Sequence, residues 1–187
     1  MKRIIILIPM LLWFAISFAQ SFKLQSQAGF GATMVNVKKV IGDQLSNYNT
    51  YSYEFLLQGL LKSKHDKFRW MPEIGIQRLY YWEEEYFAFT PDPSPRWRSG
   101  TIWTVHGGLG IERPIYNYGY FQTGANVRYF LDGSGIAPGL MAGVGLKYHV
   151  SAKIEIPLGV RLDVVFGNAT PSSFCVCTGL CFGKREH

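Results

Sequence analysis

Residues 153–166 read KIEIPLGVRLDVVF, and the alternation within them decides the fold class. Ile154, Ile156, Leu158, Val160, Leu162, Val164 and Phe166 fall on one face of an extended chain. Lys153, Glu155, Gly159, Arg161 and Asp163 fall on the other, because successive strand residues point to opposite sides. A soluble sheet buries such an apolar face and wets the charged one. A membrane barrel does the reverse, turning aliphatic side chains to lipid and charges to its lumen.

Outward from this stretch the same period recurs. Phe121, Thr123, Ala125, Val127, Tyr129 and Leu131 oppose Gln122, Gly124, Asn126, Arg128 and Phe130. Leu140, Ala142, Val144, Leu146 and Tyr148 oppose Gly143, Gly145, Lys147 and His149. Trp103, Val105, Leu109 and Ile111 oppose Thr104, His106, Gly108, Gly110 and Glu112. Phe174, Val176, Thr178, Leu180 and Phe182 oppose Cys175, Cys177, Gly179, Cys181 and Gly183. Three less regular strands are expected over about 22–37, 51–63 and 68–81, each reaching the ~9 to 11 residues that a tilted spanning strand requires. Eight strands is an even number, as single-chain bacterial barrels have. Pro72 and Pro157 fall inside expected strands, where a missing N–H predicts a bulge or a displaced boundary. Arg78 and Arg113 share the parity of the apolar face, near strand ends, where a lipid-facing charge costs little.

The connections are expected to alternate between longer loops, at 38–50, 82–100, 132–139 and 167–172, and tight turns, at 64–67, 114–119 and 150–152. With a periplasmic N-terminus the longer loops lie outside the cell. Loop 82–100, with Glu83, Glu84, Glu85, Pro91, Pro93, Pro95 and Arg98, is the largest and the candidate for contacting a surface ligand. Aromatic residues mark the strand ends as two girdles: Phe68, Trp70, Phe121, Tyr148 and Phe182 near one end, Tyr80, Trp103, Tyr129, Phe166 and Phe174 near the other.

The first residues give the address. Lys2 and Arg3 precede an apolar run from Ile4 to Phe14, and small residues follow at Ser17 and Ala19, the layout of a cleavable secretory signal. The run falls short of a membrane-spanning helix. Residues 1–19 are therefore expected to be a signal peptide and 20–187 one domain; an uncleaved anchor is the alternative. Of the formal charge of +6, Lys2 and Arg3 contribute two, leaving +4, which is too small and scattered to suggest nucleic acid.

Glu54, Lys62, Glu73, Glu112, Arg128, Lys147, Glu155, Arg161 and Asp163 have inward parity and form the candidate lumen network. Charges inside an apolar wall need partners, and eight strands leave room for side chains and little else. Cys175, Cys177 and Cys181 share one face; small lumen-filling thiols are expected before a disulfide or a metal site, since no fourth ligand is spaced for one. His106 faces inward without a nucleophile spaced to it, so no catalytic residue and no cofactor is assigned.

On these patterns the chain resembles the small outer-membrane β-barrels of Gram-negative bacteria, the OmpA-like and OmpX-like barrels, and more closely the outer-membrane β-barrel domain proteins of Bacteroidota. The resemblance rests on the signal ending Phe18-Ala19-Gln20, the Gly-rich strand 139–148 and the closing strand Phe174 to Phe182. The tail Gly183 to His187 departs from a strictly terminal assembly signal. What the resemblance implies is an all-β, eight-stranded antiparallel transmembrane up-and-down barrel, exported by a Sec-type route and inserted among outer-membrane lipids by the barrel assembly machinery. A monomer, not an enzyme, with a structural or surface-interaction role through its external loops, is the leading expectation. The alternatives are a narrow channel, a lipid-modifying enzyme and a soluble lipocalin-like ligand binder with the two faces reversed.

Overall fold

The computed structural model describes residues 21–38, 45–62, 67–85, 96–116, 118–131, 135–166 and 169–183. The expected signal segment, residues 1–19, and the tail beyond Gly183 lie outside the described residues.

Eight strands follow one another in chain order: β1 (Ser21–Lys38), β2 (Leu45–Lys62), β3 (Arg69–Glu85), β4 (Arg96–Ile115), β5 (Gly119–Phe130), β6 (Gly135–His149), β7 (Ile154–Val165) and β8 (Ala169–Gly183). Each pairs antiparallel with its chain neighbours, and β1 pairs with β8 from Lys23↔Gly183 to Val37↔Ala169, closing the barrel. Closure gives every strand two partners and leaves no unpaired edge along the shared height. The architecture is the expected closed, eight-stranded, antiparallel up-and-down barrel, and the described residues contain no helix.

Burial alternates as the sequence period requires. On β7, Glu155, Pro157, Arg161, Asp163 and Val165 are buried while Ile156, Leu158, Leu162 and Phe166 are exposed. The same phase holds on β8, where the three thiols point in and Phe174, Val176, Leu180 and Phe182 point out. The charged face is therefore the inner one. That removes the lipocalin-like reading, which needs aliphatic side chains lining a cavity and charges in solvent.

The strands exceed the expected boundaries, and the loops are correspondingly shorter. Segment 82–100, expected as one long loop, is strand up to Glu85 and again from Arg96. The register sets Glu83 opposite Arg98 and Glu85 opposite Arg96, and the remaining 86–95 lies outside the described residues. Loop 132–139 shrinks in the same way, because Pro138 pairs with Val127 and its carbonyl accepts the Phe166 amide at 2.8 Å. Loop 167–172 shrinks because Ala169 to Ser172 pair with β1. The expected contrast between long loops at one end and tight turns at the other is thus not general. Between β7 and β8 only residues 166–168 intervene, fewer than in the 150–153 turn at the opposite end.

Neither proline produces a bulge. The β2–β3 register is unchanged on both sides of Pro72, from Gln58↔Glu73 to Leu61↔Trp70, and that of β7–β8 is unchanged across Pro157. Pairing lapses only on one side, while Pro72 still opposes Leu109 and Pro157 still opposes Lys147. A missing N–H removes a donor toward one neighbour and leaves the other ladder intact.

Candidate functional site

The inward side chains stack in layers from the end where β1 begins and β8 finishes. The first layer is charged. Lys23 Nζ donates to Glu155 Oε1 at 2.7 Å, and His149 Nδ1 lies 3.2 Å from the same oxygen. Beside them Glu112 accepts from Lys147 Nζ at 2.6 and 2.7 Å, from Arg69 at 2.8 Å and from Gln122 at 3.1 Å. Strands β3, β4, β5 and β6 meet on that one carboxylate, which is fully buried. Next comes an apolar layer of Leu60, Met71, Met141 and Cys181.

The third layer centres on Arg161. Its guanidinium grips Glu73 through two hydrogen bonds, of 2.7 and 2.8 Å, and Asp163 through two more, of 2.6 and 2.9 Å. Gln25 donates to Gln58 at 2.7 Å, Gln58 to Glu73 at 3.0 Å, and Asn126 to Asp163 at 3.0 Å. Arg128 Nη2 lies 3.8 Å from Asp163, and its Nη1 donates to Gln77. Glu73 stands on β3 and Arg161 on β7, four strands apart in the ring of eight, so this forked pair crosses the full width of the barrel. Charge-assisted forks of this kind fix geometry as well as energy. Above them Phe130, Ala137 and Val165 form a second apolar layer, with Ile102 packed against it.

Of the nine residues of the candidate network, Glu73, Arg128, Arg161 and Asp163 are in contact in this third layer. Glu112 meets Lys147, and Glu155 meets Lys23, in the first. Glu54 faces His106 Nε2 at 3.5 Å. Lys62 is half-buried at the end of β2. The candidate network leaves out Lys23, Arg69 and the amides of Gln25, Gln58 and Gln77, together with Gln122 and Asn126, whose inward parity the sequence shows but not their part in it. Inward parity marks the two charges, but amides carry no charge that demands a partner. The network also overlooks that the lumen is banded, with Leu56, Leu60, Met71 and Met141 inside.

The three thiols are free and buried. Cys175 lies opposite Gly31 and Cys177 opposite Gly29, and a Cβ on Gly29 would come within 2.9 Å of the Cys177 sulfur. Small residues face one another across the β1–β8 seam because nothing larger fits. Among the described residues no group of His, Cys, Asp and Glu is arranged to hold a metal ion.

Outside, the aromatic residues Trp70, Trp103, Phe121, Tyr129, Tyr148, Phe166, Phe174 and Phe182 are exposed, and Tyr80 is half-buried. Tyr80 stacks on Tyr51 at 4.6 Å, and Phe30 and Tyr53 join the cluster. Arg78 lies among them, its guanidinium carbon 4.5 Å from the Tyr80 ring centre and 5.3 Å from that of Trp103. Between the aromatic ends the exterior is aliphatic: Ile74, Leu109, Val127, Leu140, Val144 and Val176 are each about half exposed.

No protein-family model and no curated protein matches the chain. Among solved structures, the chain is similar to Ail, the attachment invasion locus protein of Yersinia pestis, in complex with the heparin analogue sucrose octasulfate. The two share 13% identity over 87% of this chain and 100% of that one, with a TM-score of 0.47. Neisserial surface protein A aligns at 12% identity over 86% of this chain and 96% of that one, TM-score 0.47. The outer membrane protease OmpT from Escherichia coli aligns at 9% identity over 88% and 97%, TM-score 0.42.

Proposed function

We propose that the chain is an integral barrel of the outer membrane, closed to passage by its own side chains, whose contacts with other molecules are made at the end where β3 passes to β4. The observation that carries this reading is the inverted polarity of the wall. Fully buried Glu112 and Arg128 stand inside while a continuous apolar band, rimmed by aromatic rings, stands outside. Soluble monomers rarely expose apolar patches above a few hundred Å², and at ~25 cal/mol per Å² such a band would be strongly unfavourable in water. Lipid is the solvent that suits it, with Trp70 and Phe182 toward one interface and Trp103 and Phe174 toward the other.

The role that follows is structural or one of surface interaction through the external loops, rather than transporting or enzymatic. The Glu73–Arg161 fork crosses the lumen between two apolar layers, and Lys23, Arg69, Glu112, Lys147, Glu155 and Asp163 are engaged in further ion pairs across it. Export by a Sec-type route with removal of residues 1–19, insertion by the barrel assembly machinery, and a monomeric state complete the proposal. The Bacteroidota type rests on the Phe18-Ala19-Gln20 signal ending and the Gly-rich strands.

Reconstitution in planar bilayers tests the closed interior. The expected outcome is a flat baseline at voltages that open porin controls, and discrete channel events overturn the reading. Cell fractionation tests the location. The chain is expected in the detergent-extracted membrane fraction, and recovery from the soluble periplasm refutes it.

A further inference from the structure

The buried charges of the whole interior are equal in number, but those of the third layer, separated from the rest by apolar side chains, balance only with a proton. In the layer between the two apolar ones, Glu54, Glu73 and Asp163 bring three carboxylates against the guanidiniums of Arg128 and Arg161, counting the described residues. Arg161 is committed to Glu73 and Asp163, and Arg128 lies against Asp163 and Gln77. Glu54 meets neither guanidinium at ion-pair distance. What meets it is Nε2 of His106, 3.5 Å from Oε1. Both carboxylate oxygens of Glu54 and both ring nitrogens of His106 are buried and have no hydrogen-bond partner among the described residues. The ionisable groups around Glu54 come from several walls: Glu73 on β3, His106 on β4, Arg128 on β5, Arg161 and Asp163 on β7, Cys175 and Cys177 on β8. The buried residues of β1 and β6 that flank this layer, Gln25, Gln27, Thr33, Met141 and Ala137, are uncharged.

A carboxylate beside a neutral imidazole would leave one buried charge without a counter-charge in its own layer, a costly arrangement in a low-dielectric interior. One proton removes it, whether carried by Glu54 and donated to the ring or carried by the ring beside an ionised Glu54. We infer that Glu54 and His106 form a buried proton-binding site, occupied by a single proton that is a component of the folded barrel.

The consequence is thermodynamic. A free glutamate titrates near 4.3, so above about pH 5 the unfolded chain carries no proton at position 54, while the folded site holds one. Relative to a chain with an amide in place of this carboxyl, stability is lost as pH rises above about 5, the unfolding constant growing about tenfold per pH unit until the site empties.

The test is urea unfolding of the full chain in detergent micelles at about pH 5.5 and about pH 6.5, for wild type and Glu54→Gln. The unfolding constant of the wild type is expected to rise about tenfold more across that interval than the variant's. The buried thiols contribute to both chains alike, so the difference isolates the pair. An equal pH response in the two chains overturns the site. His106→Gln is expected to keep the response, because the proton then rests on Glu54. Should Glu54→Gln fail to fold, magnetic resonance of the wild type labelled at histidine nitrogens and glutamate carboxyls gives the same reading at about pH 6. An imidazolium at His106 or one protonated glutamate supports the site; a neutral ring with ionised glutamates throughout overturns it.

Discussion

Gly31 and Gly179 stand where the first and last strands meet, and neither has room for a methyl group. A Cβ on Gly31 would overlap the carbonyl oxygen of Phe174, and one on Gly179 that of Ser26. In both cases the obstacle is backbone, which cannot rotate aside. Gly31→Ala and Gly179→Ala are therefore expected to cost about 1–3 kcal/mol each, seen as a lower urea midpoint and less of the compact band on an unheated gel. Gly107→Ala, where the nearest atom is 3.8 Å away, should leave both unchanged. At this scale the sequence yields orientation but not partnership. Parity turns Arg161, Asp163 and the thiols inward, yet nothing in the string pairs Arg161 with Glu73, which lies 88 positions earlier. That meeting depends on how far the strands are staggered around the ring, a property of all eight together. The glycines opposite Cys175 and Cys177 become visible only once the register of the seam is known.

Among the strands, β5 to β8 were legible from alternation and β1 to β3 much less so. The reason lies in particular residues: Leu56 and Leu60 on β2, and Met71 and Leu79 on β3, are apolar and buried inside. Both faces of those strands then read as hydrophobic, and the period of two fades. Strand ends were misjudged for a different reason. Glu83 to Glu85 and Arg96 to Arg98 have the composition of a solvated loop, and β propensity alone argues against them. Pairing with an opposite strand overrides it, since backbone hydrogen bonds do not depend on which side chain is attached. The outward face makes its own prediction. Val160→Arg, near the middle of β7 on the apolar side, should cost about 2–4 kcal/mol in a bilayer, whereas Tyr118→Lys in the turn at the rim should cost about 0–1 kcal/mol. Folding titrations into vesicles of the two variants measure the contrast, and equal penalties would remove the lipid assignment of the β7 exterior.

For the molecule as a whole, the bands of the interior matter more than any single contact. The Glu73–Arg161 fork spans the barrel, but apolar layers lie on either side of it, at Leu60, Met71 and Met141 and at Phe130 and Val165. Removing the fork with Glu73→Ala and Arg161→Ala together is thus expected to leave the protein non-conducting in planar bilayers, because ions would still face two dry constrictions. Steady current through the double variant would assign the seal to the ion pair alone. The global topology was the part most open to sequence reading, since the repeated period and the spacing of the connections lead to the number and order of the strands. The identity of the inner face follows only from burial, because alternation alone suits a lipocalin-like barrel as well. The join between β1 and β8 carries a cost in time as well as in space. Lys23 and Gly183 pair across almost the whole length of the chain, so the ring can be sealed only after its last strand has been delivered. A chain stalled or clipped before residue 183 would hold two bare strand margins, one at each end, and remain sticky until degraded. Completion of synthesis is in this way written into the fold as the condition for becoming inert.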